Sequence, residues 1–250
     1  MPAVRYYKAD LHIHSCLSPC AEIDMTPRRI INAALDKGLH IIAVADHNSA
    51  ENSGVAIRTG RSEGIIVLPS MELTSQEEVH VVAMFNSAKN VAAMQEIIYD
   101  TLQSGINDES GIGYQLVVNE LDEILDYNKR LLLGATSLSL GDLVKNIHAF
   151  GGLAIASHID RQSFSVISQL GFIPDDVSFD ALEISYAMDL VDATMQFGRY
   201  AGIPWVTSSD AHSLGDIGRR CTTFLLNEPT FDEIALAFKG EREIMIRGCP

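Results

Sequence analysis

The sequence predicts an α/β barrel, and three observations support this fold class. Short apolar runs typical of buried strands alternate with helical patterns along most of the 250 residues. The first repeat is complete, because a strand at residues 9–14 is followed by a helix and then by a second strand at residues 41–45. That helix begins at Thr26 and Pro27, an N-cap followed by a proline in the first turn, and ends at Gly38. Repeated strand–helix units of this kind close into a barrel with the helices outside.

The remaining elements follow in chain order. Further strands are predicted at residues 65–68, 79–85, 152–157, 179–184, 204–208 and 222–226. Helices are expected between most of them, and a helix at residues 231–239 is framed by Thr230 and Gly240.

The strand–helix alternation stops between residues 87 and about 138. Two apolar stripes at helical spacing occur there, Val91, Met94, Ile98 and Leu102, and then Val117, Leu121, Ile124 and Leu125. We therefore predict one barrel domain over residues 1–250, with a mainly helical insertion at about 87–138.

Composition limits the possible partners. The chain has 33 acidic and 18 basic residues, a net charge of −15, which argues against binding long nucleic acid through phosphate contacts. No apolar run is long enough for a membrane span or a signal peptide, so a cytoplasmic protein without a membrane partner is expected. Four cysteines are too few for a disulfide scaffold at this length, so reduced thiols are expected.

Six of the eight histidines fall at or just beyond predicted strand ends, in the company of carboxylates. They are His12, His14, His47, His80, His158 and His212, and the carboxylates are Asp10, Asp46, Glu72, Asp160 and Asp210. His12 and His14 share one face of their strand because side chains alternate. All of these strand ends are expected to be C-terminal ends, which converge on one mouth of a barrel. Imidazoles with carboxylates suit Zn²⁺, Mn²⁺ or Fe²⁺. The pattern predicts a site for two or three divalent ions.

Six sequence blocks together resemble the PHP (polymerase and histidinol phosphatase) family. In chain order they are residues 9–15 (ADLHIHS), 45–49 (ADHNS), 71–73 (MEL), 79–81 (VHV), 157–158 (SH) and 209–212 (SDAH). The resemblance implies a distorted (β/α)7 barrel of the PHP type, up to three divalent metals, and the phosphoesterase activity of free-standing members.

The resemblance also implies roles for individual residues. His12, His14, Glu72 and Asp210 resemble the ligands of a first metal, Glu72 with His80 and His158 those of a second, and His47 with His212 two ligands of a third. The chain departs from the family pattern where relatives place the third metal's remaining histidine or aspartate. Cys20 occupies that region, and Glu22 and Asp24 are alternative ligands in the same loop.

The implied reaction is hydrolysis of a small phosphorylated substrate by a metal-activated hydroxide. Candidate substrates are nucleotides, bisphosphates, sugar or metabolite phosphates and short oligonucleotides. Glu72, Asp210 and Asp46 are the predicted catalytic residues, and Asp46, His47 or His212 could protonate the leaving group. Arg161, just beyond His158, is predicted to bind the substrate phosphate. The alternative for Arg161 is a surface arginine paired with Asp160 or Asp175.

Two other functions remain open at this point. The first is an amidohydrolase-type C–N hydrolase, whose barrels also begin with H-x-H. Such enzymes usually bridge their metals with a modified lysine, whereas Glu72 occupies the comparable position and no lysine lies between Asp46 and His80. The second is a non-catalytic metal-binding PHP module, although such modules tend to lose ligands that this chain keeps.

Overall fold

The structure is a computed structural model that describes residues 4–247. The strands are β1 (Arg5–Ile13), β2 (Ile41–Val44), β3 (Ile66–Thr74), β4 (His80–Met84), β5 (Leu116–Val118), β6 (Ile124–Tyr127), β7 (Leu153–Ala156), β8 (Ala181–Ile184), β9 (Trp205–Thr207), β10 (Cys221–Leu226) and β11 (Glu243–Arg247). The α-helices are α1 (Pro27–Asp36), α2 (Ser53–Glu63), α3 (Ala88–Thr101), α4 (Leu140–Ala149), α5 (Val166–Leu170), α6 (Leu190–Phe197) and α7 (Phe231–Phe238).

Nine of these strands form one sheet that curves into a nearly closed barrel. Their order is β11-β10-β1-β2-β3-β4-β7-β8-β9. The edge strand β9 meets β10, the strand next to the opposite edge, through a threonine side chain. Thr222 Oγ1 accepts a hydrogen bond from the Thr207 N–H at 2.8 Å and donates to the Thr207 carbonyl at 2.9 Å. The predicted α/β barrel of distorted form is therefore confirmed.

The distortion lies in the direction of the strands. β1, β2 and β3 run parallel, as do β7, β8 and β9. β4 runs antiparallel to both of its neighbours, β3 and β7. The expectation that every site residue follows the C-terminal end of its strand is therefore wrong for His80, the first residue of β4. Because β4 is reversed, His80 pairs with Thr74 at the end of β3 and still reaches the same mouth.

Local sequence explains the first helical unit. Thr26 is the N-cap of α1, Pro27 follows in the first turn, and Gly38 has φ +66° just beyond the end of the helix. Ile30 and Ile31 of α1 are buried against the outer face of the sheet. All four residues of β2 are buried, as expected for a parallel strand covered on both faces.

The insertion is only partly helical. Val91, Met94 and Ile98 are buried on α3, as the first apolar stripe predicted, whereas Leu102, its fourth residue, lies just beyond the end of the helix. The second predicted stripe is wrong, because Val117 lies in β5 and Ile124 in β6, which pair as a two-stranded antiparallel hairpin.

Turn chemistry explains this difference. The Asn119 side-chain oxygen accepts hydrogen bonds from the N–H groups of Leu121 and Glu123, and Asp122 has φ +62°. A tight turn of this kind interrupts any helix. Leu121 and Leu125, which the helical pattern placed on a buried stripe, are instead exposed.

Two further expectations concern cysteines and membranes. Cys16 and Cys20 are free thiols, whereas Cys221 is disulfide-bonded, so the expectation of reduced thiols is wrong for Cys221. Cys249 lies outside the described residues. Within residues 4–247, no helix has the length and apolar character needed to cross a bilayer.

Candidate metal centre

The structure brings all eight predicted metal ligands to one mouth of the barrel. His12 belongs to β1 and His14 follows it, His47 follows β2, Glu72 lies within β3, His80 begins β4, His158 follows β7, and Asp210 and His212 follow β9. Three groups have donor atoms within 4.8 Å of one another: His12, His14 and Asp210; His47, Glu72 and His80; and His14, His47 and His212.

A bulge in β1 aims its two histidines inward. Asp10 pairs with Ile42 and Ile13 with Val44, so three steps along β1 match two along β2. The extra residue places His12 on the inner side next to Leu11, and His14 follows on the same side. Bulges of this kind re-aim side chains next to functional sites.

Glu72 is the centre of the cluster. It is 1% exposed, and five imidazole nitrogens surround its carboxylate. They are His47 Nδ1 and His80 Nδ1 at 3.1 Å, His12 Nε2 at 3.2 Å, His158 Nε2 at 3.4 Å and His14 Nε2 at 3.6 Å. Asp210 Oδ1 lies opposite, 3.3 Å from His14 Nε2 and 3.7 Å from His12 Nε2.

Hydrogen bonds outside the cluster fix the tautomers of His12 and His14. His12 Nδ1 donates to Glu183 Oε2 at 3.0 Å. His14 Nδ1 contacts Ser18 Oγ at 3.0 Å, and since Ser18 donates its own proton to Asp46, His14 is the donor. Each histidine therefore directs its Nε2 toward the centre, and this is the nitrogen that would ligate a metal once it carries no proton.

Several of these donor atoms have no hydrogen-bond partner in the described part of the chain. They are His12 Nε2, His14 Nε2, His47 Nδ1 and Glu72 Oε1, all buried. Buried polar atoms nearly always have a hydrogen-bond partner, so four buried donor atoms without one that face the same point need an explanation. Imidazole nitrogens and a carboxylate are ligands for first-row divalent cations, and the residues present fit such ions.

The electrostatics favour positive charge at this point. Burial opposes ionisation, but the imidazoles of His80, His12 and His47 hold the pKa of Glu72 well below its usual range. Burial, together with His212 and His47, lowers the pKa of His14 well below its ordinary value. Glu72 is thus a carboxylate and His14 a neutral imidazole. Despite burial, Glu183 and Glu72 raise the pKa of His12 and Glu72 raises the pKa of His47, so the cluster attracts protons or, in their place, metal cations.

Backbone strain is concentrated at the same mouth. Asn48, His158 and Asp210 have φ values of +49°, +31° and +49°. Left-handed conformations of this kind cost about 1–3 kcal/mol each and persist where surrounding structure holds them, often at functional sites. Here they turn the chain sharply where it leaves β2, β7 and β9.

Glu183 is a site residue that sequence analysis missed. It lies in β8, is 3% exposed, and its Oε2 accepts hydrogen bonds from His12 Nδ1 and from the His158 N–H, both at 3.0 Å. A glutamate between the apolar Leu182 and Ile184 of a buried strand was the available signal, because buried carboxylates need partners.

Asp46 lies behind the centre rather than in it. Its carboxylate accepts hydrogen bonds from the Ser15 N–H and hydroxyl and from the Ser18 hydroxyl at 2.6–2.7 Å. Ser18 Oγ in turn accepts from the His47 N–H. Asp46 therefore orients the loop that positions His14 and His47.

Cys20 is the loop candidate that reaches the centre. It lines the cavity beside His47 and His212. Burial opposes ionisation of the thiol, but hydrogen bonds to these two histidines lower the pKa of Cys20 to about 7. Neither alternative lines the cavity: Asp24 forms a salt bridge with a side chain of α1, and Glu22 is exposed.

A cavity of about 250 Å³ opens at the mouth. Every predicted metal ligand except His12 lines it, together with Cys20, Arg161, Leu133 and Phe164. Arg161 Nη1 lies 2.6 Å from Asp210 Oδ2, so Arg161 faces the cavity and is not paired with Asp160 or Asp175. Asp160 instead accepts hydrogen bonds from Ser185.

The insertion contributes to the cavity through Leu133. Asn48 Nδ2 donates to the carbonyls of Leu132 and Gly134 at 2.8 and 2.9 Å, and Asn48 Oδ1 accepts from the Thr74 N–H. This asparagine, next to His47, therefore holds the last part of the insertion against the mouth.

Comparison with known proteins gives one family match and one sequence relative. The PHP-associated family model matches residues 195–242, which include Asp210 and His212. An uncharacterized protein of Bacillus subtilis (strain 168), YqxK, is 35% identical over 105 residues, 40% of this chain and 27% of YqxK.

Solved structures with this fold include endonuclease Q. The lesion-specific endonuclease of Pyrococcus furiosus has a TM-score of 0.75 at 21% identity, over 96% of this chain and 58% of that chain. Endonuclease Q in complex with a 27-mer duplex substrate with an abasic lesion at the active site has a TM-score of 0.72 at 21% identity, over 97% and 58%. The present chain thus spans little more than half the length of endonuclease Q.

A third structure, a Bifidobacterium adolescentis protein assigned as a metal-dependent phosphoesterase, has a TM-score of 0.58 at 18% identity, over 92% of this chain and 96% of that chain. At these identities the likeness shows the fold. Fold and site together define a barrel protein whose mouth carries a cluster of histidines and carboxylates. With the family-model match, they support a PHP domain family protein, which is the family that the sequence motifs resemble.

Proposed function

We propose that the chain is a divalent-metal-dependent hydrolase of phosphate esters. The observation that carries the proposal is the buried carboxylate of Glu72 with five imidazole nitrogens within 3.6 Å, beside a cavity that Arg161 lines. Two or more cations and a guanidinium at one mouth would concentrate positive charge where a phosphate ester, itself an anion, has to bind.

The residues of the three groups described above, together with His158, would hold the ions, and Glu72 would be the carboxylate that two of the sites share. When bound, such ions supply Lewis acidity toward phosphate oxygens and lower the pKa of water. Arg161 binds a phosphate oxygen by its guanidinium, and in doing so exchanges its contact with Asp210. Glu183 and Asp46 act as positioning residues. Glu183 contacts the centre through the His12 ring and the His158 N–H, and Asp46 contacts it through Ser15 and Ser18.

His212 is our proposed proton donor or third-site ligand. Its Nδ1 lies 2.9 Å from the carbonyl of Asp210, so Nδ1 carries a proton. Nε2 is then free to act as a ligand when the ring is neutral or as a proton donor when the ring is protonated. Cys20 completes the group of His14, His47 and His212 in this proposal. A thiolate there favours Zn²⁺ or Fe²⁺ over Mn²⁺.

Small phosphorylated metabolites or nucleotides are the proposed substrates, and duplex DNA is a second candidate. The likeness to endonuclease Q, which is known in complex with a duplex substrate, favours DNA and conflicts with the expectation from charge. The net charge of −15 opposes extended phosphate contacts, so we rank short substrates first.

The test is a phosphate-release screen with Mn²⁺, Zn²⁺ and Fe²⁺ over nucleotides, bisphosphates and sugar phosphates, with cleavage of a 27-mer duplex containing an abasic site as a separate arm. We expect two or more tightly bound ions per chain by elemental analysis and release from at least one small substrate. Glu63→Gln, on the exposed end of α2, is the matched control for Glu72→Gln. Fewer than one ion per chain, with no hydrolysis on adding metal, would contradict the proposal.

A further inference from the structure

We propose that the substrate carries a flat aromatic ring system, a nucleobase, which stacks on Phe164 opposite the metal centre. This inference rests on the proposed function and names the substrate class for the same site. Phe164 lies in the loop between β7 and α5 and is not among the predicted metal ligands or phosphate contacts. It is therefore a candidate specificity-determining residue.

The cavity has a polar and an apolar side. Nine of its eleven lining residues are histidines, acidic residues, Cys20 or Arg161, and the two apolar ones are Leu133 and Phe164. An inorganic phosphate ion would make no favourable contact with the two apolar side chains. A ligand that combines a phosphate with an apolar group would satisfy both sides.

The ring of Phe164 extends a flat surface that begins at the metal centre. Its centroid lies 4.7 Å from that of the His80 imidazole, with an angle of 17° between the planes. The imidazole covers one face of the ring, and Phe164 is nevertheless 41% exposed. A partly exposed aromatic ring held flat at the edge of a site is a surface on which a base can stack.

The backbone conformation at residue 164 does not favour a phenylalanine side chain. Phe164 has φ +58°, a region that is unfavourable for a bulky residue. Its carbonyl accepts a hydrogen bond from the His80 N–H at 2.8 Å, which explains the backbone conformation. Glycine or asparagine would make that bond with less strain, so the carbonyl contact does not explain why the side chain is phenylalanine.

Leu133 is held in place as the second apolar contact. The carbonyls on both sides of it, those of Leu132 and Gly134, accept hydrogen bonds from Asn48. This clamp presents Leu133 to the cavity. Phe164 and Leu133 thus line one recess, from the β7–α5 loop and from the insertion.

The test compares two substrates in one set of variants. We would measure kcat/KM for adenosine monophosphate and for glycerol phosphate and divide the first by the second. A substitution that lowers activity toward both substrates equally leaves this ratio unchanged. We expect Phe164→Leu, which keeps the apolar volume but not the flat ring, to lower the ratio about tenfold, the loss of one stacking contact. Phe164→Tyr should keep it.

Phe172→Leu is the matched control, because Phe172 is also exposed (54%) but does not line the cavity; its ratio should equal that of the unmodified protein. An unchanged ratio in Phe164→Leu would overturn the inference and leave the proposed function intact.

Calorimetric titration of the metal-loaded protein with adenosine monophosphate and with inorganic phosphate is the second readout. Stacking is supported if the nucleotide binds more tightly than inorganic phosphate and Phe164→Leu abolishes this difference. That result would hold even if no substrate were hydrolysed, whereas the absence of hydrolysis would refute the proposed function. Equal affinity for the two ligands would overturn the inference.

Discussion

The floor and the rim of the barrel mouth are built differently. We define the floor as His12, His14, Glu72 and His158, and the rim as Cys20, Arg161, Phe164 and His212. Floor residues are at most 2% exposed, and they lie in strands or within two residues of a strand end. The rim lies on loops, and Arg161 and His212 have side chains 47% and 32% exposed.

This difference separates two requirements of a metal-dependent hydrolase. Metal ligands must converge within a few tenths of an ångström, which strands and buried partners such as Glu183 achieve. Substrate contacts must differ among relatives that share a barrel, and loops tolerate such change. We therefore expect floor substitutions to remove metal, and substitutions of Arg161 and Phe164, the rim residues that are not proposed metal ligands, to change substrate preference.

The largest effect is expected at Glu72. Glu72→Gln keeps the size of the side chain but removes the charge that five imidazoles share, so the chain should lose metal and kcat/KM should fall about 10³-fold or more, about 4 kcal/mol in the barrier. Elemental analysis and steady-state kinetics measure both. Near-normal turnover with a full metal content would show that Glu72 is not the bridging ligand.

A smaller effect on the same floor is expected from Glu183→Gln. The carboxylate that orients His12 becomes a neutral amide, and loss of such an outer partner lowers metal affinity about 10- to 100-fold. Competition with a chelator measures the affinity.

Asp180→Asn is the matched control for this substitution, because Asp180 accepts a hydrogen bond from His148 away from the mouth. Equal metal affinity in both variants would reduce Glu183 to a packing residue, and rescue of affinity by Glu183→Asp would support orientation by a carboxylate.

The smallest effect is expected at the rim, from Arg161→Ala. Without the guanidinium, KM for a phosphorylated substrate should rise about tenfold with a smaller change in kcat, if the contact is equally strong before and in the transition state. Metal content should stay as in the unmodified protein, in contrast to Glu72→Gln.

Arg199→Ala, an exposed arginine that stacks on Tyr200, is the control for charge. If Arg161→Ala and Arg199→Ala have the same KM, Arg161 does not bind the phosphate. If Arg161→Ala loses metal, Arg161 supports the metal site and does not belong to the rim.

Local sequence was sufficient to place most of the predicted metal ligands. The strand-end positions of His12, His14, His47, His158 and Asp210 could be predicted because alternation along a strand and the caps of α1 depend on near neighbours in the chain. Glu72 was predicted from its place just beyond the strand expected at residues 65–68 and from the family motif, and the structure extends that strand as β3 to Thr74.

Only the tertiary structure decided the remaining features. The reversal of β4, the contact of Glu183 with His12 across 171 residues of chain, and the approach of Arg161 to Asp210 depend on which strands become neighbours. The recess of Phe164 and Leu133 depends likewise on how the insertion docks. Short-range periodicity contains no information on such pairing, because it is set by the packing of elements that are distant in sequence.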